Sequence, residues 1–154
     1  MSKKIQLSLP LSGSVIPLSE VNSYLFNSKM LGEGAAIKPL DNYIYSPIDG
    51  EIVLLYEAKH SIAIRTLEGL QILIHVGLDT VKLEGKGFAT YVKVGDKVKA
   101  GDKILFFDRE YVEHFSSTIT PIVITNPELI ENIDINYKAD KANDKFMDIT
   151  LKLD

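Results

Sequence analysis

An all-β fold, an antiparallel β-sandwich or barrel-like assembly with only short peripheral helices, is predicted by three features of this 154-residue chain. Val, Ile and Leu fall in many short clusters rather than in long stretches of helical period. Ten Gly and six Pro stand between those clusters and supply the tight turns that such an architecture needs. The unit Pro10-Leu11-Ser12-Gly13-Ser14-Val15-Ile16 also returns as Pro47-Ile48-Asp49-Gly50-Glu51-Ile52-Val53, a weak internal repeat that reads as one structural motif used twice. With 45% hydrophobic residues the chain is sized for a single domain over 1–154.

Taken in order, residues 1–6 read as a short disordered N-terminus: Met1-Ser2-Lys3-Lys4 is basic, and the apolar run after it is too short for a signal peptide. In each copy of the repeat, Pro fixes φ, Gly permits a positive φ in the turn, and β-forming residues open the next strand. Leu31 to Pro39, with its two glycines and small residues, reads as a turn into a buried strand. Ile62–Thr66 and Leu70–Val76, joined by Leu67-Glu68-Gly69, form a predicted antiparallel hairpin whose second strand ends near His75. Gly95-Asp96 and Gly101-Asp102 mark two turns, the second leading into a strand at Ile104 to Asp108. Two helical turns are expected over Arg109 to Phe115 behind an Asp108 cap, and one over Pro127 to Ile130. Late strands are read at Ile119 to Ile124 and Phe146 to Leu151, with the polar stretch Asn136 to Lys145 between them as a loop without clear structure.

Composition narrows the functional classes. The formal charge of -4, with both signs interspersed, leaves no basic stripe for a nucleic-acid backbone. There is no Cys, which rules out disulfides, thiolate chemistry and Cys-ligated zinc, and which fits a cytoplasmic location. No window approaches the roughly 20 apolar residues needed to cross a bilayer as a helix, so no membrane insertion is expected.

Chemistry can centre on the histidines. His60 and His75 flank the predicted hairpin, whereas His114 lies in a charged helical segment and carries no visible role. The strand period places Gln71, Leu73 and His75 on one face, and a suitable register would bring His60 opposite. Neutral imidazole is a good nucleophile near pH 7, because its unperturbed pKa is about 6.5 and one ring nitrogen attacks while the other keeps its proton.

The segment from His75 through Gly77, Asp79, Gly85 and Gly87 to Phe88 resembles the phosphorylation-site signature of glucose-family IIA phosphocarriers of the bacterial sugar phosphotransferase system. Four further blocks fit in the family's order: Pro10 to Gly13, Gly32 to Pro39, Ser46 to Gly50 and Ser117 to Asn126. The resemblance implies a duplicated hybrid-motif sandwich, a phosphocarrier domain over 1–154, phosphorylation of His75, stabilisation of the phosphoryl group by His60 and a backbone role for Gly77 in orienting His75. It further implies an apolar partner surface at Phe26, Met30, Leu31, Tyr56 and Leu73. The charges of Asp79, four residues past His75, and Glu33 read as an acidic rim that attracts a basic partner. The implied donor is the phosphorylated histidine-bearing protein HPr, and the implied acceptor is a cysteine on the IIB domain of a sugar permease. No cofactor is implied, and no metal is required. Two departures stand out: Ala58 occupies a position where the family often has Thr, and Tyr137 to Lys145 lacks the family's glycine-bearing turns.

A metallopeptidase reading fails for want of a His-x-His pair. A swinging-arm carrier reading of Val94 to Asp102 fails because the modifiable lysine tip is absent. The remaining alternative is a regulatory protein-binding module in which His60 and His75 contact a partner or share an intermolecular zinc.

Overall fold

A computed structural model describes residues 3–152. In chain order the strands are β1 (Lys3–Ser8), β2 (Gly13–Pro17), β3 (Glu33–Pro39), β4 (Tyr43–Tyr45), β5 (Gly50–Leu55), β6 (Ser61–Arg65), β7 (Gln71–His75), β8 (Phe88–Thr90), β9 (Lys97–Val98), β10 (Lys103–Phe107), β11 (Thr120–Ile124), β12 (Ile130–Ile135) and β13 (Lys145–Leu151). Among the described residues helix is confined to α1 (Tyr24–Asn27), α2 (Arg109–Glu113) and single 3-10 turns. Every strand pair is antiparallel. The strands make a seven-stranded sheet in the order β2-β3-β11-β7-β6-β5-β9 and two three-stranded sheets, β1-β13-β12 and β4-β10-β8. This is the all-β sandwich that the short apolar clusters predict.

One large core joins the three sheets, with Leu7 and Ile149 from the first small sheet, Ile44 and Phe107 from the second, and Ile37, Ile52, Ile62, Ile64, Ile72 and Ile74 from the large one. The alternation of β-strands sends the intervening residues to the opposite face. There Ala36 and Val123 meet Leu18, Val21 and Phe26 in a smaller cluster, with Leu31 and Leu73 packed against it. The segment that carries α1 therefore covers part of the outer face of the large sheet, and the edge of that cover is where His75 emerges.

The repeat seen in the sequence is a structural duplication. Ser8 N–H donates to the Pro47 carbonyl at 2.9 Å and Tyr45 N–H to the Pro10 carbonyl at 2.7 Å, so the two copies lie against each other. Each copy also holds its own turn. Ser46 exchanges backbone hydrogen bonds with Gly101 and Asp102, and in the same pattern Leu9 exchanges them with Asn143 and Asp144. Asp49 Oδ1 accepts from Ala100 N–H, and Ser12 Oγ accepts from Ala142 N–H.

Those turns correct the reading of 136–145. Lys141-Ala142-Asn143-Asp144 repeats the geometry of Lys99-Ala100-Gly101-Asp102 and of Lys93-Val94-Gly95-Asp96, since in all three the Asp carboxylate accepts from the Lys backbone N–H. The third residue needs a left-handed conformation, with φ of 97° at Gly95, 92° at Gly101 and 73° at Asn143. Asn is the side-chain-bearing residue that tolerates this region best, so the turn survives the loss of glycine. Far from being structureless, this stretch is bonded to residues 9–13 and buries Ala139.

The expectation of disorder over 1–6 is corrected from residue 3 onward. Lys3 to Gln6 pair with Asp148 to Leu151, and Ile5 and Leu7 alternate into the main core. Residues 1 and 2 lie outside the described residues. The hairpin, the strands at 103–107, 120–124 and 145–151, and the Asp108-capped helix form where the sequence places them, with Asp108 Oδ1 accepting from Tyr111 N–H. Within the stretch from Pro127 to Ile130 a 3-10 turn occupies Pro127–Leu129, and β12 follows unannounced. Its alternating Ile130, Ile133 and Ile135 are broken by Asn132 and a register shift, which hid the strand pattern.

Candidate phosphoryl-transfer site

β6 and β7 pair with Ser61 opposite His75, Ile62 opposite Ile74 and Ile64 opposite Ile72. The register, which the sequence leaves open, sets Ser61 across from His75. His60 sits one residue before β6 and accepts through its carbonyl from Val76 N–H at 2.7 Å. Lys59, with φ of 62° and its N–H donating to the Tyr56 carbonyl at 2.8 Å, closes the turn that leads into His60. The two imidazole centroids are 5.0 Å apart with the planes at 77°.

Each ring has an aromatic wall. Tyr56 stacks on His60 with centroids 5.5 Å apart and planes 7° from parallel, and Phe26 of α1 meets His75 edge-on at 5.3 Å. His60 is buried, and His75 is half-buried at the end of its strand.

The turn after β7 orients the second ring. Nδ1 of His75 lies 2.7 Å from the Gly77 carbonyl oxygen. A carbonyl only accepts, so Nδ1 carries the proton and the Nε2 lone pair is left free. Gly77 has φ of 78°, and a Cβ there would lie 2.5 Å from Thr80 Cγ2 and 2.6 Å from the Ser117 carbonyl oxygen. The turn is anchored by Thr80 Oγ1 donating to the Val76 carbonyl and by Leu78 N–H donating to that of Ser117.

Both rings are held neutral. The pKa of His60 is pushed down to about 4, chiefly by burial and then by the neighbouring His75. Burial also lowers that of His75, opposed by the Gly77 carbonyl, which favours the protonated ring. Neutrality is what a nucleophilic imidazole requires, and a neutral His60 leaves one N–H for a phosphoryl oxygen.

A cavity of about 310 Å³ opens beside His75, lined by Leu25, Phe26, Leu31, Leu78, Asp79 and Val81 among others. Met30 and Tyr56 are exposed, while Leu31 and Leu73 are half-buried against the outer cluster. Phe26, expected on the partner surface, is only 3% exposed, so it serves as the wall behind His75 rather than as open contact area. Glu33 pairs with Lys29 at 3.2 Å and Asp79 with Lys82 at 3.3 Å, which makes the rim mixed in sign rather than acidic. Leu25 and Val81 were not anticipated as exposed apolar neighbours of the cavity, because nothing in a four-residue helix or a 3-10 turn marks which side faces out. Among the described residues no group of three or more His, Cys, Asp or Glu side chains is placed to hold a metal ion.

This paired-histidine geometry meets an independent finding. Residues 5–130 match a family described as phosphoenolpyruvate-dependent sugar phosphotransferase system, EIIA 1. The chain belongs to that family. A PTS system glucose-specific EIIA component from Bacillus cereus is 47% identical over 146 residues, covering 93% of this chain and 88% of the relative. One from Oceanobacillus iheyensis is 46% identical over 132 residues, covering 85% and 80%. The solved structure titled glucose permease IIA from Mycoplasma capricolum superposes with a TM-score of 0.87 at 34% identity, over 95% of this chain and 96% of that one. As an EIIA component, the chain has a phosphocarrier role in the sugar phosphotransferase system, and its sandwich is the fold of that solved relative. No helix among the described residues is long and apolar enough to cross a membrane.

Proposed function

We propose that this EIIA domain, a single unit over 1–154, takes a phosphoryl group from the phosphohistidine of HPr onto Nε2 of His75. It then passes the group to a cysteine thiolate on the IIB domain of a sugar permease, on the cytoplasmic side. The observation that carries the reading is the pair of rings 5.0 Å apart with the Nδ1 proton of His75 held by Gly77, which commits Nε2 to attack.

In the first step the Nε2 lone pair forms the new P–N bond as the P–N bond to the donor breaks. The donor imidazole leaves with its electron pair, and His75 keeps its Nδ1 proton. Positive charge then develops on the ring, and the Gly77 carbonyl stabilises it through a charge-assisted hydrogen bond. His60 donates to the phosphoryl oxygens, whose negative charge is spread in a loose transition state, so alignment and directed donors supply most of the catalysis. Tyr56 keeps the His60 ring in place by stacking. In the second step sulfur attacks phosphorus, the bond to Nε2 breaks, and His75 returns to the neutral ring. Exposed Leu25 and Val81, which line the cavity, and exposed Met30 supply apolar contact area for partners. The relatives named for glucose support a glucose permease as the acceptor.

The test is incubation with phosphoenolpyruvate and the general phosphotransferase proteins, read by intact mass. The protein gains one acid-labile phosphoryl group, and His75→Gln gains none. His60→Gln still accepts the group but transfers it onward at least tenfold more slowly, a loss on the order of 1.4 kcal/mol of transition-state stabilisation. Phosphorylation of the His75→Gln protein would overturn the assignment.

A further inference from the structure

Among the described residues, three buried side-chain polar atoms have no hydrogen-bond partner: Nδ1 of His60, Oγ of Ser61 and Nε of Arg109. Two of the three belong to consecutive residues at the site. Ser61 is 0% exposed and His60 5%, so water does not freely satisfy either atom. A buried unpaired polar group costs about 1–3 kcal/mol, so two side by side call for a common explanation.

The local geometry brings these side chains to one place. Ser61 is the cross-strand partner of His75, and directly opposed residues in an antiparallel pair project from the same face. The His60 ring stands against the His75 ring from the other approach. Both side chains thus flank His75 despite being sequence neighbours, Ser61 through the strand register and His60 through its ring. The remaining neighbours offer His60 Nδ1 little: Ala58 has no polar side chain, and Tyr56 presents its ring face.

We propose that Ser61 is a positioning residue: its hydroxyl donates to Nδ1 of His60 and thereby fixes the tautomer in which Nε2 of His60 carries the proton. In this structure the two atoms are not hydrogen-bonded, and the proposed bond requires the Ser61 hydroxyl to turn toward Nδ1. The polarity follows from chemistry. Nδ1 as acceptor puts the N–H on Nε2, where it serves an anionic phosphoryl oxygen, whereas the reverse polarity would turn a lone pair toward the phosphoryl group. One hydrogen bond satisfies both orphaned atoms and gives His60 a single protonation state on arrival of the group.

The inference rests on the phosphocarrier reading only for its kinetic consequence, and its spectroscopic test uses the unphosphorylated protein. Imidazole nitrogen NMR on uniformly ¹⁵N-labelled protein near neutral pH shows His60 in the Nε2–H form, with Nδ1 shifted by an accepted hydrogen bond. In Ser61→Ala that shift is lost and the two tautomers mix. A wild-type His60 protonated on Nδ1, or His60 spectra identical in the two proteins, would overturn the proposal. Stability gives a second readout, since deleting an unpaired buried hydroxyl is neutral or stabilising whereas deleting a paired one lowers the urea midpoint; an unchanged or raised midpoint counts against the bond. In transfer assays Ser61→Ala passes its phosphoryl group onward about fivefold more slowly, the equivalent of one hydrogen bond of about 1 kcal/mol. Ser61→Thr, which keeps the hydroxyl on a strand position suited to β-branching, restores the rate. Onward transfer unchanged in Ser61→Ala would also overturn it. Failure of wild-type protein to become phosphorylated would instead overturn the proposed function, leaving the spectra to decide the role of Ser61.

Discussion

A histidine buried without charge ties the site to the acid stability of the protein. The unfolded chain binds a proton on His60 near pH 6.5, while the folded protein does so only near pH 4. Between those values the unfolded state holds more protons, so stability falls as pH is lowered through the window and is fully present above it. His75, also lowered by burial, acts in the same direction. Urea midpoints measured from pH 7.5 to 4.5 should therefore decline in the wild type and decline less steeply in His60→Gln. An equal slope in both proteins would mean that His60 is not held neutral by the fold. The same depression keeps the His75 ring neutral below the pH at which an exposed imidazole would be half protonated.

Several elements of this fold are defined by turns more than by strands. The Lys-x-x-Asp turn occurs three times, each with a left-handed third residue, and two copies clamp the duplicated Pro units. Asn143 is the position where that turn is under conformational load. Asn143→Gly should be neutral or slightly stabilising, whereas Asn143→Val, β-branched at positive φ, should cost about 1–2 kcal/mol by denaturant unfolding. A neutral Asn143→Val would show that the turn does not hold the chain as described. The turn after β7 has no such latitude, because at Gly77 both the positive φ and the two close neighbours exclude a side chain.

Across the molecule, the three sheets share one core, and the outer face of the large sheet is covered only in part by the segment carrying α1. The N-terminal strand belongs to that core rather than trailing from it. Leu7 is fully buried, and Leu7→Ala should cost about 2–5 kcal/mol in chemical unfolding while leaving phosphoryl acceptance by the folded protein intact. A change near zero would show that β1 does not belong to the core. Partial cover on the outer face leaves His75 half-buried, against apolar walls on one side and open to the cavity on the other.

Much of this was legible in the residues themselves. Short apolar clusters between Gly and Pro announced an all-β chain, the Pro-x-x-Gly repeat announced its duplication, and the run from His75 to Phe88 announced the phosphocarrier family. These signals are local: a turn needs particular residues at fixed offsets, and a strand shows its period within a few positions. β12 escaped because its alternation is interrupted, and the 141–144 turn escaped because Asn replaces the glycine that usually marks a left-handed residue. What only the tertiary structure decided is cross-strand and three-dimensional: that Ser61 rather than His60 faces His75, that Phe26 is a wall instead of a docking surface, and that Asp79 and Glu33 are paired with lysines. Register, burial and ion pairing depend on residues far apart in the chain, and a one-residue slip exchanges the two faces of a strand. Sequence patterns specify which side chains are available, whereas packing selects the ones that meet.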